Sequence, residues 1–216
     1  MSAKYIIKIL TLGDASVGKS SIVLRYSENR FNGAWLSTIG VDSKRKIVKI
    51  KGESVKVSIW DTAGQEKFQN IVKQYYNGAN GVLLIFDITN KKSFDKINFW
   101  YQDLKQSVNI DELFVCLVGN KVDLEDKREV STEEGQELAD KYGIEFYESS
   151  AKTGKNVEEI FLNSANEISK RIEQGFYDLD NDTCGIKRGL NKNKNQVHLG
   201  GDQPNNNGGG VGGCCK

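Results

Sequence analysis

Along most of the chain, the pattern of apolar and polar residues predicts strands and helices in alternation. Residues 5–12 form an apolar, β-branched run, and the short apolar runs at residues 82–88 and 113–119 are equally typical of buried strands. A Gly-rich turn after the first run leads into a predicted helix at residues 19–27. This order indicates strand–loop–helix units of the kind that build parallel sheets.

Two further strand-like runs, residues 42–51 and 54–60, flank the polar sequence Lys51-Gly-Glu-Ser54, which is typical of a hairpin turn. Residues 144–149 supply a sixth strand. We therefore expect an α/β fold with a six-stranded mixed, mostly parallel sheet flanked by about five helices. The hairpin predicts one antiparallel edge of that sheet.

Two later helices have recognisable start signals. Ser131 and Glu134 have the spacing of a capping box that opens a helix ending near Tyr142. Asn156 with Glu159 predicts the start of the last helix in the same way. These signals complete the predicted folded part of the chain.

The composition changes abruptly after Phe176. Nine of the 22 glycines and the only proline lie beyond that residue, together with a run of three asparagines. Such a segment has too few apolar groups to offset the entropy of ordering its backbone. The sequence therefore predicts one domain at residues 1–172 and a disordered tail at residues 173–216, which also explains the low apolar fraction of 38%.

Charge and apolar content exclude several classes of protein. A net charge of +1 argues against a general nucleic-acid binder, and no run approaches the roughly 20 apolar residues of a membrane span. Lys8 interrupts the N-terminal apolar run, which lacks a cleavage site, so we expect no signal peptide and an intracellular chain. The four cysteines do not form the pattern of a disulfide framework; they are Cys116, Cys184, Cys214 and Cys215.

The sequence Gly13-Asp-Ala-Ser-Val-Gly-Lys-Ser20 matches the phosphate-binding pattern G-x-x-x-x-G-K-[ST], between a predicted strand and a predicted helix. Its glycines let backbone N–H groups point at phosphate oxygens, and the helix N-terminus favours negative charge. Lys19 places a cation on the outer phosphates, and the Ser20 hydroxyl is a ligand for Mg²⁺. A Gly-rich turn with a chance lysine is the weaker alternative. The motif indicates a nucleoside triphosphate without specifying the base.

A second motif, Asp61-Thr-Ala-Gly-Gln65, ends a predicted strand about forty residues later. Asp61 is placed to hold Mg²⁺ through a water molecule. The N–H of Gly64 can approach a γ-phosphate, and Gln65 can orient an attacking water. Read alone, the motif is an ordinary turn; after a phosphate-binding loop, that alternative becomes much weaker.

A third motif, Asn120-Lys-Val-Asp123, follows the strand at residues 113–119. A buried aspartate there accepts the N1 and N2 hydrogens of guanine, whereas adenine offers neither and leaves the carboxylate unpaired. The stem of Lys121 can cover the base, and backbone N–H groups of Ser149-Ser-Ala-Lys152 can contact O6. Together the three motifs predict GTP rather than ATP.

In this order and spacing the motifs resemble the Ras superfamily of small GTPases over about residues 5–172, and within it the Rab branch. Rab-like sequences are Ser37-Thr-Ile-Gly-Val-Asp42, Lys56-Val-Ser-Ile-Trp-Asp-Thr-Ala-Gly-Gln-Glu66 and Tyr75-Tyr-Asn-Gly-Ala79. The resemblance implies a phosphate-loop small G domain. Its two switch segments would lie at about residues 33–43 and 62–76.

The resemblance also implies roles that the residues alone do not indicate. Thr38 would bind Mg²⁺ and meet the γ-phosphate, and Phe31 would pack against guanine. The nucleotide-binding residues expected in all are Gly13, Asp14, Ala15, Ser16, Val17, Gly18, Lys19, Ser20, Ser21, Phe31, Thr38, Gly64, Asn120, Lys121, Asp123, Ser150, Ala151 and Lys152. The expected Mg²⁺ ligands are Ser20, Thr38 and, through water, Asp61.

A surface for effector proteins is implied as well, formed by Ile39, Val41, Asp42, Ser43, Trp60 and Tyr75. Ser43 departs from the family, because Rabs usually carry phenylalanine there as part of an exposed aromatic triad. Since aromatic contacts concentrate binding energy at interfaces, the departure predicts an altered choice of effectors.

By resemblance, the protein is a monomeric switch in vesicle trafficking that hydrolyses GTP slowly to GDP, with Lys19 and Gln65 as catalytic residues. The implied partners are an exchange factor, a GTPase-activating protein, a GDP-dissociation inhibitor or escort protein, and effectors. Cys214 and Cys215 resemble a double geranylgeranylation site rather than a C-a-a-X box. They would anchor the protein to the cytoplasmic face of intracellular or plasma membranes, between cycles in the cytosol.

Two alternatives remain open at this point. One is a GTP-binding adaptor with negligible hydrolysis, which the intact Gln65, Thr38 and Asp61 disfavour. The other is an ATPase or kinase with the same phosphate loop, which Asn120 and Asp123 disfavour.

Overall fold

A computed structural model describes residues 3–33, 38–179, 181 and 184–189. Its strands are β1 (Tyr5–Leu12), β2 (Val41–Ile50), β3 (Glu53–Thr62), β4 (Gly81–Asp87), β5 (Phe114–Asn120), β6 (Glu145–Ser149) and β7 (Lys187–Arg188). The main sheet has the order β2-β3-β1-β4-β5-β6, and the two-residue β7 pairs with β1. Pairing is parallel except at β2–β3 and β1–β7. The predicted six-stranded, mostly parallel sheet is confirmed.

The α-helices of the described residues are α1 (Lys19–Glu28), α2 (Gln69–Lys73), α3 (Lys91–Asp95), α4 (Ile97–Ser107), α5 (Thr132–Tyr142) and α6 (Val157–Glu173). Short 3₁₀ turns lie at Glu66–Phe68, Ile110–Glu112 and Val122–Lys127. Only Lys96 separates α3 from α4, which accounts for six helices where about five were expected.

The predicted hairpin is present and forms the antiparallel edge of the sheet. Lys51 and Gly52 both have positive φ, 49° and 83°, as a two-residue hairpin turn requires. The turn is shorter than expected, so β3 begins at Glu53. The register places Asp42 opposite Asp61, which in turn pairs with Thr11, so the start of β2 lies near the loop after β1.

One of the two predicted helix starts is confirmed and the other is wrong in detail. The Ser131 Oγ accepts the N–H of Glu134, whose carboxylate accepts the N–H of Ser131, as in a capping box. Asn156 does precede α6, but it has φ 58° and its side chain caps nothing. Its amide instead donates to the Glu148 carbonyl at 2.8 Å, which ties the start of α6 to β6.

Both faces of the sheet are covered, as expected for parallel strands. Ile9 points into a core shared with α1 and α6, where Tyr26 stacks on Phe161 at 4.1 Å between ring centroids. Leu10 points the other way, into a core that includes Trp100 of α4. The sheet thus positions the ends of its strands, from which the loops of the candidate site project.

The chain beyond α6 packs against the domain, which corrects the expected boundary at residue 172. Tyr177 and Ile186 are 8% and 5% exposed, and the Tyr177 hydroxyl donates to the Glu112 carbonyl at 2.9 Å. Composition does not indicate this packing, because part of it comes from backbone hydrogen bonds between β7 and β1. Since β4 pairs with β1 only from Ile9 onward, the backbone edge at Tyr5 and Ile6 is open to β7. We call the described part of residues 174–189 the strap.

Of the expected disordered tail, residues 173–216, the part from residue 190 onward lies outside the described residues. Cys214 and Cys215 lie there too. Within the described part of the chain, no helix combines the length and the apolar character needed to cross a bilayer.

Candidate functional site

The loop between β1 and α1 forms a concave turn of backbone at the carboxyl ends of the parallel strands. Gly18 adopts φ 98°, and a side chain there would collide with the Asn120 amide. Ser16 also has positive φ, 65°. Ala15 and Val17 complete the loop, and the Asp14 carboxylate accepts the N–H of Ala15 at 2.9 Å. The sequence motif is thus folded as a cradle of backbone amides at a helix N-terminus.

Lys19 lies inside this cradle. It is 5% exposed, and its Nζ donates to the carbonyls of Gly13 and Asp14 at 3.0 and 2.7 Å. Burial lowers the pKa of Lys19 to about 8, an effect that the charges of Asp61 and Asp14 only partly oppose. A desolvated ammonium held by neutral carbonyls is suited to receive a strongly anionic ligand.

Three oxygen-bearing side chains from separate segments meet beside Lys19. The hydroxyls of Ser20 and Thr38 are 2.6 Å apart, and Thr38 donates to the Asp61 carboxylate at 3.4 Å. Burial raises the pKa of Asp61, although hydrogen bonds from Ser20 and Thr11 and the charge of Lys19 act against that rise. Hydroxyl and carboxylate oxygens are the donors that Mg²⁺ prefers. The three expected metal ligands are therefore brought together and fit this ion.

The second switch segment touches the same loop. A side chain at Gly64 would collide with the carbonyl of Asp14 and with the Lys19 ammonium, so only glycine permits this approach. The Ala63 N–H donates to the Gly40 carbonyl at 2.9 Å, which joins the two switch segments to each other. Gln65 follows directly and is half-buried.

Asn120 fastens three loops together rather than facing outward. Its side-chain amide donates to the Val17 carbonyl at 2.8 Å, and its Oδ1 accepts from the Ala151 N–H at 3.2 Å and the Ser149 hydroxyl at 3.3 Å. It is 1% exposed. Its role is to position the phosphate loop against the loop after β6.

Asp123 and Lys121 lie at the outer side of the cradle. The Ser150 hydroxyl donates to Asp123 Oδ1 at 2.6 Å, and Lys152 lies 3.7 Å from Oδ2. Lys121 donates to the Ser16 carbonyl at 2.9 Å and pairs with Asp87 at 2.6 Å, so its stem runs along the loop. This arrangement fixes the Asp123 carboxylate and the Lys121 side chain at the same side of the phosphate loop, which fits the predicted recognition of guanine.

Three positioning residues were missed by sequence reasoning. Arg25 of α1 donates to the carbonyls of Ala151 and Lys152 at 2.8 and 2.7 Å and so holds the loop after β6. Asp87 holds Lys121, and Lys96 pairs with Asp14 at 3.2 Å. No motif contains these residues, because each acts across a long sequence separation.

Two expected members of the site are less engaged. Phe31 is 39% exposed, at the end of the described part of the loop after α1. Ser21 is half-buried in α1. No ring contact of Phe31 is present among the described residues, so its expected packing against guanine stays a prediction.

Three residues of the expected effector surface, Ser43, Trp60 and Tyr75, lie next to one another. Ser43 pairs with Trp60 across β2 and β3, and the Trp60 and Tyr75 rings are 5.1 Å apart. The Lys8 ammonium lies 5.3 Å from the Trp60 ring. Ile39 is 83% exposed, while Val41 and Asp42 continue the strand beside it. An aromatic side chain at position 43, in place of serine, would lie beside Trp60 and extend this aromatic pair.

Comparison with known proteins agrees with this geometry. The sequence matches the Ras family over residues 8–170. It is also similar to the GTP-binding protein ypt2 of Schizosaccharomyces pombe, with 47% identity over 170 residues, covering 79% of this chain and 84% of the relative. The phosphate loop, both switch segments and the loops around Asn120 and Ser150 all lie within the region that matches the Ras family.

Proposed function

This chain belongs to the Ras family of small GTPases and is a Rab-type protein that binds and hydrolyses GTP, and we propose that it is a membrane-tethered switch in vesicle trafficking. The observation that carries the proposal is the meeting of both switch segments with the phosphate loop. Thr38 reaches Ser20, and Gly64 packs against Asp14 and Lys19. A γ-phosphate at Lys19 would order these segments, and its loss would release them.

In the proposed complex the phosphates lie on the backbone amides of residues 13–20, with Lys19 at the outer phosphates. Ser20, Thr38 and Asp61 would hold Mg²⁺, the last through water. When bound, this ion neutralises charge on the phosphate oxygens. Asp123 would accept the guanine N1 and N2 hydrogens. The loop at residues 150–152 would face O6, and the Ala151 N–H would have to leave its present acceptor, Asn120 Oδ1, to donate to that oxygen.

Gln65 is proposed to orient the water that attacks the γ-phosphorus, while the bond from that phosphorus to the GDP oxygen breaks. Lys19 would stabilise the charge that develops on the transferred group. The arginine nearest to the phosphate loop in sequence, Arg25, is occupied by the carbonyls of Ala151 and Lys152. We therefore propose that an activating protein supplies the missing positive charge, which accelerates such reactions by about 10⁵-fold.

The Mg²⁺ proposal predicts the behaviour of Ser20→Asn. Asparagine removes the hydroxyl that meets Thr38, so affinity for GTP in the presence of Mg²⁺ should fall at least about tenfold more than affinity for GDP. Nucleotide exchange measured with fluorescent GTP and GDP, with Mg²⁺ and with EDTA, checks this. Equal losses for both nucleotides, or a difference that persists in EDTA, would contradict the assignment of Ser20.

The strap determines where residues 190–216, the proposed connection to the membrane, leave the domain. The Gly189 N–H donates to the Lys4 carbonyl at 2.9 Å, beside the first residues of β1. The phosphate loop follows the last residue of β1, so residues 190–216, the proposed tether, begin at the opposite end of the sheet, about 25 Å away. Residues 190–216, which end in the proposed anchor, follow the strap in the sequence. The switch face and the last described residue of the strap therefore lie at opposite ends of the sheet.

The anchor proposal predicts that Cys214→Ser with Cys215→Ser removes the protein from membranes. One lipid chain anchors only marginally whereas two anchor stably, so each single variant should show an intermediate membrane fraction. Fractionation of cells expressing the tagged full chain, with nucleotide binding as a control for folding, measures this. Unmodified thiols in mass spectra of the native C-terminus would refute the anchor.

The regulators and effectors expected for the family remain proposals: an exchange factor, an activating protein, a GDP-dissociation inhibitor or escort protein, and effectors that bind the surface around Trp60 and Tyr75. Because Ser43 offers these effectors a small hydroxyl, we propose that they fill the space beside Trp60 with a side chain of their own.

A further inference from the structure

On α4, a buried carboxylate has three partners among the described residues, and all three belong to the second switch segment. Asp103 is 7% exposed. Its Oδ1 accepts from the Gln69 amide at 3.1 Å and lies 2.7 Å from the Lys73 ammonium, and its Oδ2 accepts from the Tyr76 hydroxyl at 3.0 Å. One side chain therefore holds three residues of the segment 62–76. We call these four residues the latch.

Separating Asp103 from its three partners would be energetically costly. A buried carboxylate is costly unless it is paired and hydrogen-bonded, and here these three partners all come from the switch. Burial and the neighbouring Asp103 raise the pKa of Tyr76, which keeps its hydroxyl protonated as a donor. Lys73 completes the charge balance at the more exposed side of the cluster, with 40% of its side chain exposed.

The element that the latch holds has little stability of its own. α2 has five residues, and Val72 is its one buried residue. A helix of one turn is not stable in isolation, so tertiary contacts must determine its position. Because Asp103 binds residues on either side of Val72, it fixes both the placement and the rotation of α2 on α4.

The latch continues to the proposed catalytic side chain. The Phe68 N–H donates to the Gln65 carbonyl at 3.0 Å, and α2 begins at the next residue. Gly64, on the other side of Gln65, is fixed against the phosphate loop. Gln65 thus lies between two residues whose positions are fixed: Gly64, which packs against the phosphate loop, and Gln69, which belongs to the latch.

We infer that Asp103 is a positioning residue for GTP hydrolysis: by holding Gln69, Lys73 and Tyr76, it keeps Gln65 at the γ-phosphate. This inference rests on the proposed role of Gln65. The residues that would bind the base, sugar-side phosphates and Mg²⁺ make no contact with Asp103 among the interactions described above. The latch therefore affects the rate of hydrolysis rather than the affinity for nucleotide.

The test is single-turnover GTP hydrolysis by full-length protein carrying Asp103→Ala, Asp103→Asn or Asp103→Glu. We expect Asp103→Ala to slow hydrolysis about fivefold, with dissociation constants for GTP and GDP within about twofold of the parent. Deuterium uptake at residues 65–76 should rise. Asp103→Glu should recover part of the rate, and Asp103→Asn should lie between, because it keeps the acceptor but loses the charge. Asp95→Ala, an exposed acid on α3, is the matched control.

Two further variants test whether Asp103 acts through the latch and through Gln65. Lys73→Met removes the more exposed end of the latch, so it should slow hydrolysis less than Asp103→Ala and remain folded even where that variant does not. In a Gln65→Leu background, Asp103→Ala should cause no further loss, because the positioned group is gone.

The outcomes separate the latch from the function on which it rests. A parental rate in both Asp103→Ala and Lys73→Met, while Gln65→Leu is slow, overturns the latch and leaves the role of Gln65 intact. A parental rate in Gln65→Leu overturns that role itself. Equal, additive losses in the parental and Gln65→Leu backgrounds would show that Asp103 acts by another route, and parallel losses of rate, nucleotide affinity and melting temperature would show a structural role alone.

Discussion

Gln65→Leu is expected to reduce GTP hydrolysis stimulated by an activating protein at least about a hundredfold, with little change in GTP affinity. Leucine has nearly the same volume as glutamine but neither donates nor accepts a hydrogen bond. It therefore cannot orient a water, while the contacts of Gly64 and Thr38 with the phosphate loop remain. The variant should bind GTP and stay in the GTP state.

Release of phosphate in a single turnover, with and without a domain that activates Rab-type GTPases, measures the effect. Gln74→Leu is the matched control, because it makes the same substitution at an exposed position just after α2. Parental rates in both variants would mean that another group orients the water. A loss of GTP affinity in Gln65→Leu would place Gln65 in binding rather than in catalysis.

The phosphate loop was predictable from the sequence because its determinants are local. Gly18, Lys19 and Ser20 act within one turn of backbone, so their spacing alone implies the shape. The capping box of Ser131 and Glu134 was predictable for the same reason. In both cases the interacting groups are only a few residues apart.

Features that depend on distant partners were not predictable in this way. Thr38 entered only through family resemblance, because nothing in its neighbourhood indicates that it meets Ser20. The latch of Asp103 joins α4 to residues 27 to 34 positions earlier and leaves no spacing pattern. The sequence indicates which side chains carry chemistry, whereas the fold decides which of them support the others.

The strap shows a further reason for error. Its composition indicates disorder, because only a few apolar residues such as Tyr177 and Ile186 are available for burial. Those few suffice because β1 offers an unpaired backbone edge at Tyr5 and Ile6, which β7 completes. Composition indicates how much apolar surface a segment can bury. It does not indicate whether the rest of the molecule has unpaired backbone groups to which the segment can bind.

Asp123→Asn is expected to lower the affinity for GTP about a thousandfold and to make xanthosine triphosphate the preferred ligand. The present carboxylate is fixed by the Ser150 hydroxyl at 2.6 Å and has a side chain only 10% exposed. Asparagine would place an amide donor against the guanine amino group, which is also a donor, so a buried hydrogen bond becomes an unsatisfied pair. Xanthine carries a carbonyl at that position and restores the match.

Displacement of bound fluorescent GDP by GTP, by xanthosine triphosphate and by ATP measures this exchange of specificity. Asp126→Asn removes an exposed carboxylate from the same 3₁₀ turn and should leave GTP preferred, which separates base recognition from loss of charge. Equal weakening for GTP and xanthosine triphosphate would show that Asp123 only supports the loop through Ser150. A reversed preference requires direct contact between residue 123 and the base, because a side chain that acted through the loop could not distinguish an amino group from a carbonyl on the ring.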